Sequence, residues 1–252
     1  MPWITNPWTT NPWTTNPWTT NPWMTYCSPI DAKPTAGQTL TLKLSLPAEK
    51  TVTIDWGDGN TTNVIGPVGS VDYTNTYTDA GTYPIRMSGD YQASEKLEIK
   101  DVEVDGTTKR LGALLGLKYF TCFGSNTLSG DVADLPAGLT SFRCSGQNTL
   151  SGDVSNLPAG LTVFHCTGKN TISDYTTPHT WTTKPSTFIL KPIAPGGLST
   201  AEIDQLLIDF DADLTWSSGN VIMLTGTNAA RSSASDAAVS NIVAEGCTVT
   251  TN

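Results

Sequence analysis

The segments LKYFTCFGSNTLSGDVADLPAG (117–138) and LTSFRCSGQNTLSGDVSNLPAG (139–160) decide the fold, because they repeat with a period of 22 residues. A third copy, LTVFHCTGKNTISDYTT (161–177), begins in the same way and then departs from the pattern. Repetition at a fixed period of about 20 to 50 residues is typical of proteins built from stacked coils. The sequence therefore predicts a short solenoid in which equivalent residues of successive copies lie above one another.

Three positions in each copy are predicted to fill the interior of this solenoid. Successive side chains of a strand point to opposite faces, so alternate residues of the frame Leu-x-x-Phe-x-Cys share one face. The repeated positions are Leu117, Leu139 and Leu161; Phe120, Phe142 and Phe164; and Cys122, Cys144 and Cys166. A repeated asparagine, at Asn126, Asn148 and Asn170, is predicted to satisfy backbone groups that the curved chain leaves open.

This frame resembles the strand half of a leucine-rich repeat, and most of all the cysteine-bearing bacterial variety. The sequence departs from the common pattern because its asparagine stands four residues after the cysteine rather than three, which predicts a bulge in each turn. Thiols stacked at a spacing of 22 residues are expected to be core filler and not a metal site. Cys27 and Cys247 lie outside the ladder and are not expected to pair; free thiols agree with folding in a reducing cytoplasm.

Residues 38–92 show the short alternating strands of a small β-sandwich. TLTLKLSLP (39–47) places four leucines on one face, and TVTIDWGDGN (51–60) alternates apolar residues before a Gly-Asp-Gly turn. SVDYTNTYTDAGTYPIRMSG (70–89) supplies a third stretch, which Asp-Ala-Gly interrupts. The spacing of these stretches predicts several short strands joined by tight turns.

Two motifs within this region resemble a PKD-type, immunoglobulin-like domain. One is DWGDG, from Asp55 to Gly59, and the other is Y-T-x-x-G-x-Y, from Tyr77 to Tyr83. The resemblance covers some fifty residues and implies a β-sandwich that serves as a spacer or adhesion module. The carboxylates of Asp55 and Asp58 are predicted to cap the turn, with cation binding as the alternative.

The N-terminal segment repeats Asn-Pro-Trp-Thr-Thr with a period of five. Proline at this spacing excludes a continuous helix or a central strand, and exposed tryptophans favour binding to a partner. We interpret residues 1–37 as an extended anchor tail whose multivalent repeats dock in a groove on a partner. The alternatives are a tail that folds back onto its own protein and an inert linker. The predicted partner-binding residues are Trp3, Trp8, Trp13, Trp18, Trp23, Pro7, Pro12, Pro17 and Pro22.

The C-terminal residues are predicted to extend and close the solenoid with two strand–helix units. Strands are expected at 187–190, 221–226 and 247–250. A capping-box pattern starts a helix over 199–210, and a second helix is expected over 233–244 with a glycine stop. These units would cover the exposed edge of the repeats.

Composition excludes several classes of function. The chain has 252 residues, 14 Lys and Arg against 23 Asp and Glu, and 41 threonines, which favour strands and turns. A net charge of −9 disfavours nucleic-acid binding, because neutralising phosphates needs cations. No apolar run approaches the roughly 20 residues of a membrane helix, and residues 1–26 have no secretory-signal pattern.

A search for chemistry predicts no catalytic set, no metal site and no cofactor. His165 takes an outward-facing position where the other copies have Thr and Arg, and His179 stands alone in a loop. Asp209, Asp211 and Asp213 imitate the start of a calcium loop, but the glycine and the closing glutamate are missing. These carboxylates are expected to end a helix in solvent.

The sequence thus predicts a mainly β fold with some α, divided into a tail (1–37), a PKD-like sandwich (38–92) and a leucine-rich-repeat-like domain with helical closure (93–252). We expect a non-enzymatic bacteriophage virion protein (capsid decoration, head fibre or tail fibre) that folds in the host cytoplasm. Its expected partners are the capsid or tail lattice and a host surface glycan or protein, with homo-oligomers also open. The alternatives are a bacterial cell-surface adhesin or carbohydrate-binding protein, which would be extracellular, and an intracellular scaffold.

Overall fold

The computed structural model describes residues 26–177, 179–193 and 196–252. These residues form sixteen strands and three α-helices, so the predicted mainly β fold with some α is confirmed. The strands are β1 (Tyr26–Ala32), β2 (Thr39–Leu46), β3 (Thr51–Asp55), β4 (Thr61–Ile65), β5 (Val68–Thr76), β6 (Tyr83–Gly89), β7 (Lys96–Lys100), β8 (Val104–Thr107), β9 (Tyr119–Asp131), β10 (Ser141–Gly146), β11 (Thr149–Asp153), β12 (Val163–Gly168), β13 (Thr171–Asp174), β14 (Thr187–Pro192), β15 (Val221–Leu224) and β16 (Thr248–Thr251). The helices are α1 (Thr108–Leu111), α2 (Thr200–Asp213) and α3 (Asp236–Ala244).

The strands form two sheets that share the long strand β9. The first sheet has the order β4-β3-β6-β1-β8-β9-β11-β13, and the second has the order β5-β2-β7-β9-β10-β12-β14-β15-β16. Strands β1 to β6 pair with one another antiparallel, and we call them the antiparallel region. Strands β7 to β16 pair with one another in parallel, and we call them the parallel region. The two regions meet through the antiparallel pairs β1–β8 and β2–β7. A single hydrophobic core runs through both regions.

Equivalent strands of the repeats pair in parallel with the register that the 22-residue period predicts. Phe142 pairs with Phe120 on one side and with Phe164 on the other. Their rings stack with centroids 5.6 Å and 6.0 Å apart, and Phe188 in β14 continues the column at 5.1 Å. All four side chains are buried, so the column forms the centre of the parallel region.

The three repeat cysteines form the predicted buried ladder beside this column. Cys144 pairs with Cys122 and Cys166 in the neighbouring coils, and no side chain of the three is exposed. Burial raises the pKa of Cys144 and Cys166, because the charged thiolate is not solvated there. Burial also raises the pKa of Cys27 to about 12 and that of Cys247 to about 11. All five cysteines are free thiols.

Two of the repeat asparagines satisfy backbone groups, as the sequence predicts. The Oδ1 atom of Asn126 accepts a hydrogen bond from the backbone N–H of Val104 at 3.3 Å. The Nδ2 atom of Asn148 donates to the carbonyl oxygen of Thr167 at 3.4 Å. Both asparagines are fully buried, and both bonds reach an adjacent coil or strand. The prediction is wrong for the third copy, because both polar side-chain atoms of Asn170 are buried without a hydrogen-bond partner, and the second polar atom of Asn126 and of Asn148 is unpartnered as well.

One further coil precedes the three recognisable copies, and the repeat pattern does not predict it. It consists of β7, β8 and α1, and it joins the two regions of the molecule. β7 pairs with β2 on one side and β9 on the other, and β8 pairs with β1 and β9. The predicted units 38–92 and 93–252 are therefore continuous in both sheets.

The end of the predicted extended tail is also different in the structure. Residues 26–32 of the 1–37 segment form β1, which lies between β6 and β8 in the first sheet. The reason is packing, because Ile30 and Ala32 point into the core. The Arg110 guanidinium of α1 holds the same strand through two hydrogen bonds of 2.9 Å to the carboxylate of Asp31.

The C-terminal residues continue the parallel region, as predicted. β14, β15 and β16 pair in parallel and in register after β12. The capping box of α2 is present, with the backbone N–H of Ser199 donating to the Glu202 carboxylate at 2.8 Å. The helix itself extends to Asp213, three residues beyond the predicted end, and in this added part Asp211 and Asp213 accept hydrogen bonds from Asn241 and Trp181.

Candidate binding surfaces

The predicted anchor residues all belong to the five N-terminal repeats and lie outside the described residues. The described structure begins at Tyr26, which pairs with Ser88 at the end of β6. The repeats are therefore joined directly to a central strand of the first sheet. This connection offers no long linker between the last tryptophan of the repeats, Trp23, and the folded body.

The outer face of the second sheet is a regular surface that crosses nine strands. One row of outward-facing residues crosses all nine strands in register: Asp72, Lys43, Glu98, Thr121, Arg143, His165, Ile189, Met223 and Thr250. The row changes from charged residues in the antiparallel region to aliphatic residues and threonine in the last strands. A partner lying along this face would meet two different chemistries.

The charged end of this surface is internally compensated. Lys43 lies 3.4 Å from a carboxylate oxygen of Asp72, and the two oxygens of Glu98 lie 3.1 Å from Lys96 and 3.3 Å from Lys100. Burial alone would raise the pKa of Glu98, but hydrogen bonds from Lys96 and Lys100 outweigh it and lower the pKa. Paired charges of this kind set the local polarity and leave little net field to attract an ion.

The middle of the outer face carries aromatic residues. The side chains of Tyr119 and Phe123 are about half exposed, at 48% and 47%. Phe123 meets the imidazole of His165 edge-on, with centroids 6.4 Å apart. Burial, and then the nearby Arg143, lower the pKa of His165, so that the ring is neutral at pH 7. His165 thus faces outward in β12, as its position in the repeat predicts.

The DWGDG turn uses its carboxylates as the sequence predicts. Asp55 accepts a hydrogen bond from the backbone N–H of Gly57 at 2.9 Å, and Asp58 accepts one from that of Asn60 at 3.0 Å. The amide of Asn75 also donates to Asp58 at 2.7 Å. Burial would raise the pKa of Asp58, but these hydrogen bonds hold it below its usual range.

The three aspartates at the end of α2 have structural partners, which corrects the expectation that they merely end the helix in solvent. The phenol of Tyr175 donates to Asp209 at 2.6 Å, and the backbone N–H of Trp181 donates to Asp213 at 2.8 Å. An asparagine amide of α3 donates to Asp211 at 3.0 Å. The carboxylates therefore fasten α3 and the 175–181 loop to α2. The sequence pattern carried no signal for these tertiary contacts.

The 175–181 loop also places His179 in an aromatic cluster. Its imidazole lies edge-on to Tyr175 and Trp181, with centroids 6.0 Å and 4.9 Å away. Trp181 in turn lies 4.8 Å from the ring of Phe210 in α2. The cluster closes this end of the core, and it leaves His179 as a packing residue.

An open cavity lies where the antiparallel region meets the first parallel coil. Its volume is about 770 Å³, and it is lined by Lys50, Gly89, Asp90, Tyr91, Gln92, Ala93, Leu115 and Gly116. Among the residues that the structure describes, no group of three or more histidines, cysteines and carboxylates could hold a metal ion. Within the same part of the chain, no helix combines the length and the apolar character needed to cross a membrane.

Comparisons of the chain with protein-family models, with curated proteins and with solved structures find no match. The resemblances to PKD-type domains and to leucine-rich repeats therefore stay predictions from the sequence.

Proposed function

We propose that this chain is a non-enzymatic structural protein of a bacteriophage particle, attached by its N-terminal Pro-Trp repeats. The observation that carries the proposal is the fivefold repetition of Pro-Trp directly before a central strand of the folded body. Tryptophan is enriched at binding hot spots, and proline reduces the entropy lost on docking. Five equivalent motifs suit a partner with repeating sites, such as a capsid or tail lattice, because linked contacts multiply affinity.

The antiparallel region supports the displayed-module part of the proposal. We assign it a PKD-type, immunoglobulin-like character because its two signature motifs meet in the core. The phenol of Tyr77 donates to the carbonyl oxygen of Trp56 at 3.1 Å, and both side chains are buried. Tyr77 also stacks on Tyr83 with centroids 4.6 Å apart. Such modules serve as spacers or adhesion units.

The parallel region also supports the proposal that the folded body is displayed on the particle. We assign it a leucine-rich-repeat-like character because equivalent Phe and Cys residues lie in register through β9, β10 and β12. Each coil pairs with the next in register, as in repeat proteins whose stacked units build extended binding surfaces. The outer face of this body would be free to touch a host glycan or protein, and copies of the chain could associate on the particle.

A second candidate is a bacterial surface adhesin or carbohydrate-binding protein. Tyr119 and Phe123 favour it, since two half-exposed aromatic rings on one sheet face offer a stacking surface for a sugar ring. This function would place the chain on a cell surface. It predicts binding through the outer face rather than through the N-terminal repeats.

The proposal is tested by attachment of the full-length chain to phage particles from its source. In the test variant Trp3, Trp8, Trp13 and Trp18 are replaced by alanine, and in the matched control Thr10, Thr15 and Thr20 are replaced by serine. We expect the control to co-sediment with the particles and the tryptophan variant to stay in the supernatant. Equal co-sedimentation of both would reject the repeats as the anchor, and binding of neither would favour the adhesin.

A truncated chain can supplement these variants if its boundary respects the fold. Removal must end at residue 25, because Tyr26 and Cys27 pair with Ser88 and Met87 in the first sheet. The circular dichroism spectrum of the truncated chain should keep the β-sheet signal of the full-length protein.

A further inference from the structure

The open cavity lies beside the point where the N-terminal repeats enter the folded body. β1 starts at Tyr26 opposite Ser88, and the next residue of β6 is Gly89, which lines the cavity. Two residues further along β1, the backbone oxygen of Ser28 accepts a hydrogen bond from the Arg110 side chain of α1 at 2.5 Å. The start of β1 thus lies between the end of β6 and α1.

The walls of the cavity are formed by these same two segments. Residues 89–93 make one wall and residues 115–116 the other, and the backbone N–H of Gly116 donates to the carbonyl oxygen of Gln92 at 2.8 Å. This bond holds the two walls together. The cavity is therefore built by segments that lie beside the start of β1.

The lining combines an apolar surface with a charged rim. Leu115 lines the cavity and is 66% exposed. Tyr91 also lines it, is half-buried and packs against the core. At the rim, Lys50 lies 3.4 Å from the carboxylate of Asp90. Apolar walls, an aromatic ring and a cation favour an aromatic occupant, since a cation attracts the face of an indole ring.

One aromatic residue of the repeats is close in sequence to the start of β1. Trp23 stands three residues before Tyr26, and three residues of extended chain span roughly 10 Å. So short a tether gives a high effective concentration and a small entropy cost of docking. A cavity of about 770 Å³ also falls within the usual size of binding pockets, roughly 300 to 1,000 Å³, and exceeds the needs of one indole.

We propose that the last Pro-Trp pair, Pro22 and Trp23, docks in this cavity of its own chain. The indole ring packs against Leu115 and Tyr91, and the ammonium group of Lys50 approaches its face. The four earlier tryptophans are then the ones that remain for a partner. This inference holds whatever the four earlier Pro-Trp pairs bind, so it does not depend on the proposed virion function.

Fluorine NMR of the full-length chain labelled with 5-fluorotryptophan tests the docking directly. The chain has eight tryptophans, and the variants Trp23→Phe and Trp8→Phe assign the two resonances of interest. Leu115→Arg places a charge in the cavity, and Val243→Arg, at an exposed apolar position of α3, is the matched control. Lys50→Glu alters the rim without changing the apolar wall, and it gives a second measurement if Leu115→Arg does not fold.

We expect the Trp23 resonance to differ from that of Trp8 in the unmodified chain. It should move to the Trp8 position in Leu115→Arg, shift in Lys50→Glu, and stay unchanged in Val243→Arg. Coincident Trp23 and Trp8 resonances in the unmodified chain would overturn the proposal, as would a Trp23 resonance indifferent to both cavity variants. A Leu115→Arg effect that vanishes on dilution would assign the cavity to a second copy and would equally overturn it.

Discussion

Gly146 lies so close to the carbonyl oxygen of Gly124 in the preceding coil that a β-carbon at residue 146 would overlap that oxygen. The same relationship joins Gly168 to Gly146 one coil further on. Both Gly146 and Gly168 have positive φ angles, of 129° and 134°, which side-chain-bearing residues rarely adopt. The repeated glycine two residues after each cysteine therefore sets how closely successive coils approach.

Substitution of Gly146 by alanine is expected to disrupt the stack. The new methyl group would both strain the backbone and push the adjacent coils apart, at a cost of at least about 2 kcal/mol in the free energy of unfolding. Urea denaturation followed by circular dichroism measures this cost. Gly160→Ala is the control, since no atom lies within 4 Å of the added β-carbon there and its φ is not positive. Equal stability of the two variants would contradict the close approach.

The phenylalanine column predicts an asymmetry between buried and exposed rings. Phe142→Ala removes a ring that is fully buried between Phe120 and Phe164, and we expect a loss of about 3 to 5 kcal/mol. Phe123→Ala, at a half-exposed position on the outer face, should change stability by less than about 1 kcal/mol. Chemical denaturation compares the two variants. A larger effect at Phe123 would place the core on the wrong face of the sheet.

The cysteine ladder predicts slow thiol chemistry. Burial raises the pKa of Cys144 and Cys166 and removes them from solvent, and it raises the pKa of Cys27 to about 12. At pH 8 a chromogenic disulfide reagent should label the native chain slowly and all five thiols at once in guanidinium chloride. Rapid labelling of three thiols in the native chain would refute the ladder.

Asp204 predicts a defined dependence of stability on pH. Burial alone would raise its pKa, but hydrogen bonds from Ser232 and Ser235 outweigh burial and lower it. The backbone N–H of Ser232 and the hydroxyl of Ser235 lie 2.9 Å and 2.6 Å from the carboxylate. A folded-state pKa below the unfolded value of about 3.9 stabilises the fold above that pH, and the stabilisation is lost as pH falls through the lower folded pKa.

The isosteric variant Asp204→Asn isolates this contribution. At pH 7 the variant should be less stable than the unmodified chain by about 1 to 3 kcal/mol, because it lacks the charged acceptor. The difference should shrink as pH falls below about 4 and the Asp204 carboxylate of the unmodified chain becomes protonated. Urea denaturation series at pH 7, 4 and 2.5 measure it. A constant difference across this range would show that the charge of Asp204 contributes nothing.

The parallel stacking of the repeats could be predicted because identical residues recur at a constant period of 22. Phe120, Phe142 and Phe164 recur at a constant spacing, and the register of the strands follows from it. The preceding coil escaped prediction since Leu97 and Ile99 take the places of phenylalanine and cysteine there. Period analysis detects identity, whereas the core requires only apolar side chains of suitable volume.

Asn228 could not be identified from the sequence as a further equivalent of the repeated asparagines, because inserted residues change the spacing. Asn228 follows β15 as Asn170 follows β12, but α2 lengthens the chain between them. The Asn228 amide accepts a hydrogen bond from the backbone N–H of Leu198 at 2.9 Å and donates to the oxygen of Leu190 at 2.8 Å. Contacts between coils of unequal length depend on tertiary packing, which local sequence patterns do not encode.

The candidate surfaces divide in the same way. The repeats that we propose as the anchor are evident from sequence, because tryptophan and proline recur every five residues. The cavity beside Tyr26 was not predictable, since its walls come from residues 89–93 and 115–116, which only the continuous pairing of the two regions brings together.

The central claim, that the chain is a particle component, is tested most directly by quantitative mass spectrometry of phage particles purified from its source through two density gradients. The account predicts peptides of this chain, including residues 96–252, in a constant ratio to the major capsid protein across the particle peak. Peptides that are absent from the particle peak while present in the host cell envelope would contradict it.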